Sequence, residues 1–77
     1  MVQAYILVQT EIGRASQVAR EIMTISGVTS SDDVTGPYDV IVRVEAASVD
    51  ELGKAILAKV QAVGGITRTL TCPVVHF

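Results

Sequence analysis

The residues that usually carry chemistry or cross-links are scarce in this sequence. It has one cysteine, Cys72, and one histidine, His76, and it contains no tryptophan and no asparagine. A single cysteine excludes an internal disulfide, and it excludes a zinc site built from several cysteines of one chain. We therefore expect no metal and no cofactor, and the lack of disulfides fits a reducing, cytoplasmic location.

Positive charge and long apolar runs are also in short supply. Six lysine and arginine residues are scattered against eight acidic residues, and there is one phenylalanine. A basic patch interleaved with aromatic residues, which direct binding of nucleic acid requires, is therefore not expected. The N-terminal segment MVQAYILVQTE lacks a basic start, and no apolar run approaches the about 18 residues of a membrane span. We expect neither export nor contact with a membrane.

Candidate catalytic side chains do not form a constellation. A general base at His76, next to the C-terminus, would lack an orienting partner and a pocket, so we interpret it as a surface histidine. Cys72 alternates with Leu70 as a core residue would, and we assign it no chemistry. Asp32 and Asp33 are neighbours on a predicted strand and point to opposite faces. We predict no catalytic residue, no metal ligand and no enzymatic activity.

Apolar residues are abundant, at 49% of the 77 residues, and their spacing predicts four strands. Alternation predicts strands over 2–9 and 39–45, and a strand from Val28 with a polar middle is typical of a sheet edge. A final strand is predicted over 66–75, with Pro73 near its end or at an edge. Its two faces are predicted to alternate, with Ile66, Leu70 and Cys72 against Thr67, Thr69 and Thr71.

Two segments have apolar residues at helical spacing. The first predicts a helix over 14–25, with Gly27 as its stop. The second begins at the capping box of Ser48 and Glu51 and ends at Gly64–Gly65. Gly53 inside this helix costs about 1 kcal/mol relative to alanine, so we expect close backbone packing there. The predicted apolar face of the second helix comprises Val49, Leu52, Ile56, Val60 and Val63.

The order strand, helix, strand, strand, helix, strand predicts one domain over residues 1–77, a ferredoxin-like α+β sandwich of βαββαβ order. Both helices then cover one face of a four-stranded antiparallel sheet, and the opposite face is bare. Strand spacing and length give this face roughly 300 Å², and covering it is worth up to about 8 kcal/mol per subunit.

We therefore predict an obligate dimer that stacks sheet against sheet. The alternative is a monomer that tolerates its apolar face. The predicted dimer face comprises Tyr5, Leu7, Ile41 and Arg43, joined by the threonines of the last strand.

The turn TGPYD directly precedes a valine-rich strand. Gly36 permits a positive φ and close approach of a ligand, and Pro37 stiffens the turn. The amides of Tyr38 and Asp39 are candidate donors to a carboxylate, and the Tyr38 ring offers a flat wall. The Asp39 carboxylate suits the ammonium group of a ligand, or else it caps its own turn. An amino acid carries the complementary charges, whereas the alternative is a simple hairpin connection.

The segment SGVTSSDDVTGPYDVIVRVEAASVDEL and the ending GGITRTLTCPVV resemble the effector-binding domain, or RAM domain, of the Lrp/AsnC transcriptional regulators. The resemblance covers essentially the whole chain. It implies dimers that stack through their sheets, association into tetramers, octamers or rings, and a small effector, typically an amino acid, between dimers. It also implies ligand-binding roles for Gly36, Tyr38 and Asp39 of the turn and for Thr69 and Thr71 of the last strand.

One departure from the family affects the expected mode of action. Lrp/AsnC regulators carry an N-terminal helix-turn-helix domain, whereas this sequence begins directly at the first strand. It therefore resembles a stand-alone form that acts without its own DNA-binding domain. We expect it to work through a partner, such as a full-length Lrp/AsnC regulator, or as a homo-oligomer that senses an amino acid.

Two other hypotheses share the order of elements. A dimeric α+β barrel enzyme would place a base or a haem between sheet and helices, where this sequence predicts valine, isoleucine and leucine. An ACT-like amino-acid-sensing domain would join sheets side by side and bind its ligand near the first loop, TEIGRAS, which contains Gly13. Substitution of Gly13 or of Gly36 separates the ACT-like hypothesis from the RAM hypothesis.

Overall fold

The computed structural model describes residues 1–75, and the predicted surface position of His76 lies outside the described residues. The second helix, α2 (residues 49–61), is continuous. It consists of an α-helical turn, a π-helical segment and a final α-helical turn. The elements in chain order are β1 (Val2–Thr10), α1 (Ala15–Met23), β2 (Val28–Asp33), β3 (Val40–Ala46), α2 (Val49–Glu51, Leu52–Leu57 and Ala58–Gln61) and β4 (Ile66–Pro73).

The four strands form one antiparallel sheet in the order β2-β3-β1-β4. Alternate residues of β1 and β3 are buried on the side that packs against both helices, as period-two alternation requires. This arrangement confirms the ferredoxin-like α+β fold. The buried residues are all apolar within the described chain: Ala4, Ile6, Val8, Val18, Ala19, Ile22, Val40, Val42, Val44, Ala46, Leu52, Ile56 and Val60.

The first helix is shorter than predicted because Thr24 interrupts it. The Thr24 hydroxyl and the Thr24 amide both donate to the Glu21 carbonyl, at 2.7 and 3.1 Å. Such local bonds compete with the helical ladder and end it. Gly27 then reverses the chain at φ 97°, as expected for a glycine stop.

The capping box of α2 is confirmed. The Ser48 hydroxyl accepts a hydrogen bond from the Glu51 amide at 3.1 Å, and the Glu51 carboxylate accepts one from the Ala47 amide at 3.0 Å. Two further predictions for α2 are wrong. Val49 is 70% exposed, because the first turn of the helix extends past the edge of the core. Gly53 is not closely packed, since a Cβ atom there would meet nothing within 4 Å.

The pairing of β4 with β1 contains an irregularity. The register shifts between Gln9 and Thr10, so Gln9 pairs with Arg68 whereas Thr10 pairs with Ile66. The extra residue in β4 is a β-bulge, and it turns every later side chain of the strand to the other face.

The bulge overturns the predicted faces of β4. Thr69 and Thr71 pair with Val8 and Ile6, which places both threonines on the helix side of the sheet. The prediction of Cys72 as a core residue is also wrong, because Cys72 pairs with Tyr5 and is exposed. The threonines therefore do not contribute to the predicted dimer face.

None of the helices within residues 1–75 combines the length and the apolar character that crossing a membrane requires.

Alanine substitution of Gly27 tests the tight junction between α1 and β2. A Cβ atom at Gly27 would lie 2.6 Å from Ile56 Cδ1 and 3.1 Å from the Glu45 carbonyl oxygen. Gly13 is the matched control, because its φ is 81° and a Cβ atom there meets nothing within 4 Å. We expect Gly13→Ala to cost about 1–2 kcal/mol of unfolding free energy from backbone strain. We expect Gly27→Ala to cost about 1–3 kcal/mol more from overpacking.

Urea unfolding of both variants at one protein concentration measures the difference. Equal losses of unfolding free energy would contradict the tight packing at Gly27.

Candidate functional site

The side of the sheet away from the helices, here called the open face, carries all four residues of the predicted dimer face. Leu7 lies between Ile41 of β3 and Leu70 of β4 in one row across the central strands. Ile41 is 36% exposed and Leu70 is 43% exposed. This row is an apolar strip that the chain itself does not cover. On β4, Leu70 lies on the open face, where the sequence predicted the threonines.

The next row of the open face is polar and connected. Tyr5 lies between Arg43 and Cys72, and the Arg43 guanidinium stands 5.6 Å from the centre of the Tyr5 ring. Arg43 donates to the Tyr5 hydroxyl at 3.2 Å and to Gln3 Oε1 at 3.3 Å, and Gln3 in turn donates to the Glu45 carboxylate at 3.2 Å. The cation–π contact and these bonds hold Arg43 flat on the sheet.

The TGPYD turn is held to the end of β1 by the backbone and side chain of Asp39. The Asp39 amide donates to the Val8 carbonyl at 2.9 Å, and the Asp39 carboxylate accepts a hydrogen bond from the Thr10 amide at 2.8 Å. The Asp39 amide is therefore not the free donor that the sequence predicts. The carboxylate bonds the Thr10 amide of β1 and not an amide of its own turn, so the stated alternative of a cap on its own turn is wrong. One carboxylate oxygen is used in this bond.

The rest of the turn stays open to approach. Gly36 is exposed with φ 156°, a conformation that other residues rarely adopt, and a Cβ atom there would meet nothing within 4 Å. The Pro37 carbonyl accepts a hydrogen bond from Gln9 Nε2 at 3.0 Å. Tyr38 is half-buried, and within residues 1–75 no backbone hydrogen bond uses its amide. Of the two predicted donors, the Tyr38 amide remains available.

The predicted threonines lie on the other side of β1 from the turn. Val8 pairs with Val40 next to the turn and with Thr69 on β4. Two strand spacings, about 10 Å, therefore separate the turn from Thr69. Thr71 lies two residues farther along β4, away from the turn. The structure brings the turn and Thr69 to one end of the sheet but does not join them in one pocket of a single chain.

An open cleft of about 260 Å³ adjoins Thr69, where the end of α2 meets the start of β4. Gln61 Nε2 donates to the Thr69 hydroxyl at 3.4 Å across this cleft. Sequence reasoning did not predict this cleft, because neither the bulge nor the meeting of helix end and strand start is visible in a residue pattern. The lining residues are Gln61, Ile66, Thr67, Arg68 and Thr69.

Among residues 1–75, no three histidine, cysteine, aspartate or glutamate side chains are grouped so that they could hold a metal ion.

Comparison with known sequences identifies relatives of two kinds. A helix-turn-helix-type transcriptional regulator of Pyrococcus furiosus is 34% identical over 55 residues, which are 71% of this chain and 37% of that protein. A homocitrate synthase of Sulfolobus acidocaldarius is 39% identical over 56 residues, which are 73% of this chain and 12% of that enzyme. The chain thus spans well under two thirds of the length of either relative.

Comparison with solved structures identifies the same fold in proteins of different length. The Thermus thermophilus protein TTHA0845 superposes with a TM-score of 0.91 at 26% identity, over 100% of this chain and 96% of that one. The Neisseria meningitidis transcriptional regulator NMB0573, solved as a complex with L-Met, superposes with a TM-score of 0.82 at 18% identity. That match covers 97% of this chain and 50% of the regulator.

The family model of the Lrp/AsnC ligand binding domain matches residues 3–76. The match spans both helices, all four strands and the TGPYD turn, and it confirms the resemblance seen in the sequence. The chain therefore belongs to the Lrp/AsnC ligand-binding domain family.

Proposed function

We propose that this chain is a non-enzymatic module that assembles with copies of itself and binds a small effector, an amino acid. We infer that this module takes part in the control of transcription in the cytoplasm. The observation that carries the proposal is the family match over residues 3–76. The open face and the TGPYD turn supply the physical basis for assembly and for ligand binding, respectively.

The open face supports the proposal of assembly. Ile41, Leu7 and Leu70 form a continuous apolar strip across three strands, and a chain of this size gains much of its stability from covering such a strip. A second copy presents the same strip, so two sheets can stack with matching rows in a two-fold arrangement. Further association of these dimers into tetramers, octamers or rings would bring the turn of one dimer against another.

The turn and the fold support the proposal of effector binding. The Tyr38 amide is a free donor beside exposed Gly36, and the second oxygen of the Asp39 carboxylate can accept from an ammonium group. The regulator NMB0573 has the same fold and was solved with L-Met, which supports an amino acid as the class of effector. Because the turn and Thr69 lie about two strand spacings apart in one chain, we infer that a neighbouring subunit completes the site.

Control of transcription requires contact with DNA, which we assign to a helix-turn-helix domain. The Pyrococcus furiosus regulator that matches this chain is of the helix-turn-helix type. We infer that residues 1–77 supply effector binding and assembly, and that full-length relatives with a matching open face are able to join the assembly.

A second candidate function is regulation of a biosynthetic enzyme. The supporting observation is the match to 12% of a homocitrate synthase at 39% identity, which suggests that the same kind of module also occurs within an enzyme chain. In that role the effector would control an active site located outside these residues.

Placing a charge at the centre of the open face tests the assembly. We expect Leu7→Glu to convert the dimer to a monomer at micromolar concentration, because the buried carboxylate would have no partner in the apolar strip. Val49→Glu is the matched control, since Val49 is 70% exposed on α2 and lies outside the open face. Sedimentation equilibrium measures both. A monomeric wild-type chain, or a Leu7→Glu variant that remains a dimer, would contradict the proposed interface.

Thermal shift against the twenty amino acids tests effector binding. A ligand at about 100 times its dissociation constant should add about 2.7 kcal/mol to stability. We expect Gly36→Val to abolish this shift and to leave the dimer intact, whereas Gly13→Val, at another positive-φ loop glycine, should retain it. The reverse pattern would support the ACT-like hypothesis instead, and no shift with any amino acid would leave only a structural oligomer.

Asp39 variants separate the role of anchoring the turn to β1 from the proposed role in binding. We expect Asp39→Ala to cost about 1–3 kcal/mol of unfolding free energy, because the Thr10 amide loses its acceptor. Asp39→Asn keeps an acceptor oxygen and should cost less, but it removes the charge that an ammonium group needs. If calorimetric titration shows that Asp39→Asn binds an amino acid as tightly as the wild type, Asp39 only anchors the turn to β1.

A further inference from the structure

Two opposite charges stand at opposite edges of the open face. Asp32 of β2 pairs with Ile41, which belongs to the apolar strip. Arg68 of β4 pairs with Gln9, which lies two residues after Leu7 on β1 and therefore on the same face. Both charged residues are exposed in the single chain. The strand order separates them by three strand spacings, about 14 Å, which is too far for an ion pair within one chain.

The other charged side chains of the open face are already engaged within the chain. Arg43 and Glu45 belong to the polar network of the row beside the strip, and the Asp39 carboxylate accepts a hydrogen bond from β1. Within residues 1–75, neither Asp32 nor Arg68 takes part in a side-chain hydrogen bond. These two charges therefore remain available for contact with another molecule.

Two copies can stack their apolar strips around a two-fold axis in two ways. If the axis is perpendicular to the strands, each strand lies over its own counterpart, and Asp32 meets Asp32 of the second copy. If the axis is parallel to the strands, β2 of one copy lies over β4 of the other. The first arrangement places like charges together, and such a juxtaposition disfavours a complex. The charges therefore favour the second arrangement.

The second arrangement brings opposite charges together. Asp32 then lies over Leu70 of the second copy, because both belong to the row of the apolar strip, at opposite edges of the sheet. Arg68 of the second copy lies two residues away from Leu70 along β4, a distance of about 7 Å. Since stacked sheets lie about 10 Å apart, about 12 Å separates the two Cα atoms. An arginine and an aspartate side chain together span that gap, and the symmetry repeats the contact.

We propose that Asp32 and Arg68 form reciprocal ion pairs between two copies stacked through their open faces, and that these pairs select the orientation of the stack and the chains that can join it. The inference rests on the proposed assembly and deepens it. A relative with an acidic residue at the β2 position and a basic residue at the β4 position fits this surface, whereas like charges there exclude it. Complementary charges of this kind contribute specificity more than affinity.

Charge reversal at each position tests the pairs by sedimentation equilibrium. Asp32→Arg and Arg68→Glu each create two like-charge contacts in a homodimer. We expect each reversal to raise the dissociation constant of the dimer by about tenfold or more, and added salt to reduce this effect. Glu21→Arg and Arg20→Glu are the matched controls. Both control residues are exposed on α1, on the other side of the sheet, and the substitutions make the same changes in net charge.

A mixture of the two reversed variants tests whether the charges complement each other. In a mixed dimer the introduced arginine faces the introduced glutamate, and the native Arg68 faces the native Asp32. Both pairs are thereby restored. We expect native mass spectrometry of an equimolar mixture to show mixed dimers well above the random share of about half. The mixture of Glu21→Arg with Arg20→Glu has the same net charges and should stay near the random share.

Three outcomes would overturn the ion pairs. One is a random share of mixed dimers from the reversed variants, and another is a pair of reversed homodimers as stable as the controls. The third is a mixture of reversed variants that forms no dimer, because restored pairs should restore the assembly.

A failure of the ion pairs is distinct from a failure of the proposed function. If the wild type is a dimer that Leu7→Glu disrupts, while charge reversal has no effect, assembly through the open face stands and the ion pairs are rejected. A monomeric wild type would reject the assembly itself and the inference with it.

Discussion

The apolar strip of the open face is the constraint on which the rest of the structure depends. Both helices pack on one side of the sheet, so the core takes only alternate residues of each strand. The remaining residues of the central strands include Leu7, Ile41 and Leu70, whose burial the chain cannot supply by itself. We propose that a partner sheet supplies that burial, and that a ligand binds at the ends of the stacked sheets, where subunits would meet.

The bulge in β4 determines which residues serve which surface. Without the extra residue near Arg68, Leu70 and Cys72 would lie under the helices and the threonines would line the sheet face. With it, Leu70 completes the apolar strip, and Thr69 is turned toward Gln61 at the end of α2. One local irregularity thus shapes both the open face and the cleft.

Local signals in the sequence are sufficient for the order of elements. The Ser48 capping box and the Gly27 stop are short-range features whose physical basis lies within a few residues, and both are predictable. The faces of β4 are not, because a bulge depends on how two distant strands register against each other. The prediction for Gly53 fails for a similar reason, since only the packed structure reveals that its side of α2 faces away from the core.

The reactivity of the single thiol tests the central claim most directly. Cys72 lies on the open face beside Tyr5 and is exposed in one chain, so a covering sheet should shield it from a thiol reagent. The account predicts that the labelling rate is slow at micromolar protein and rises on dilution as the dimer dissociates. A fast rate that does not change with protein concentration would show that nothing covers the open face, and would contradict the account.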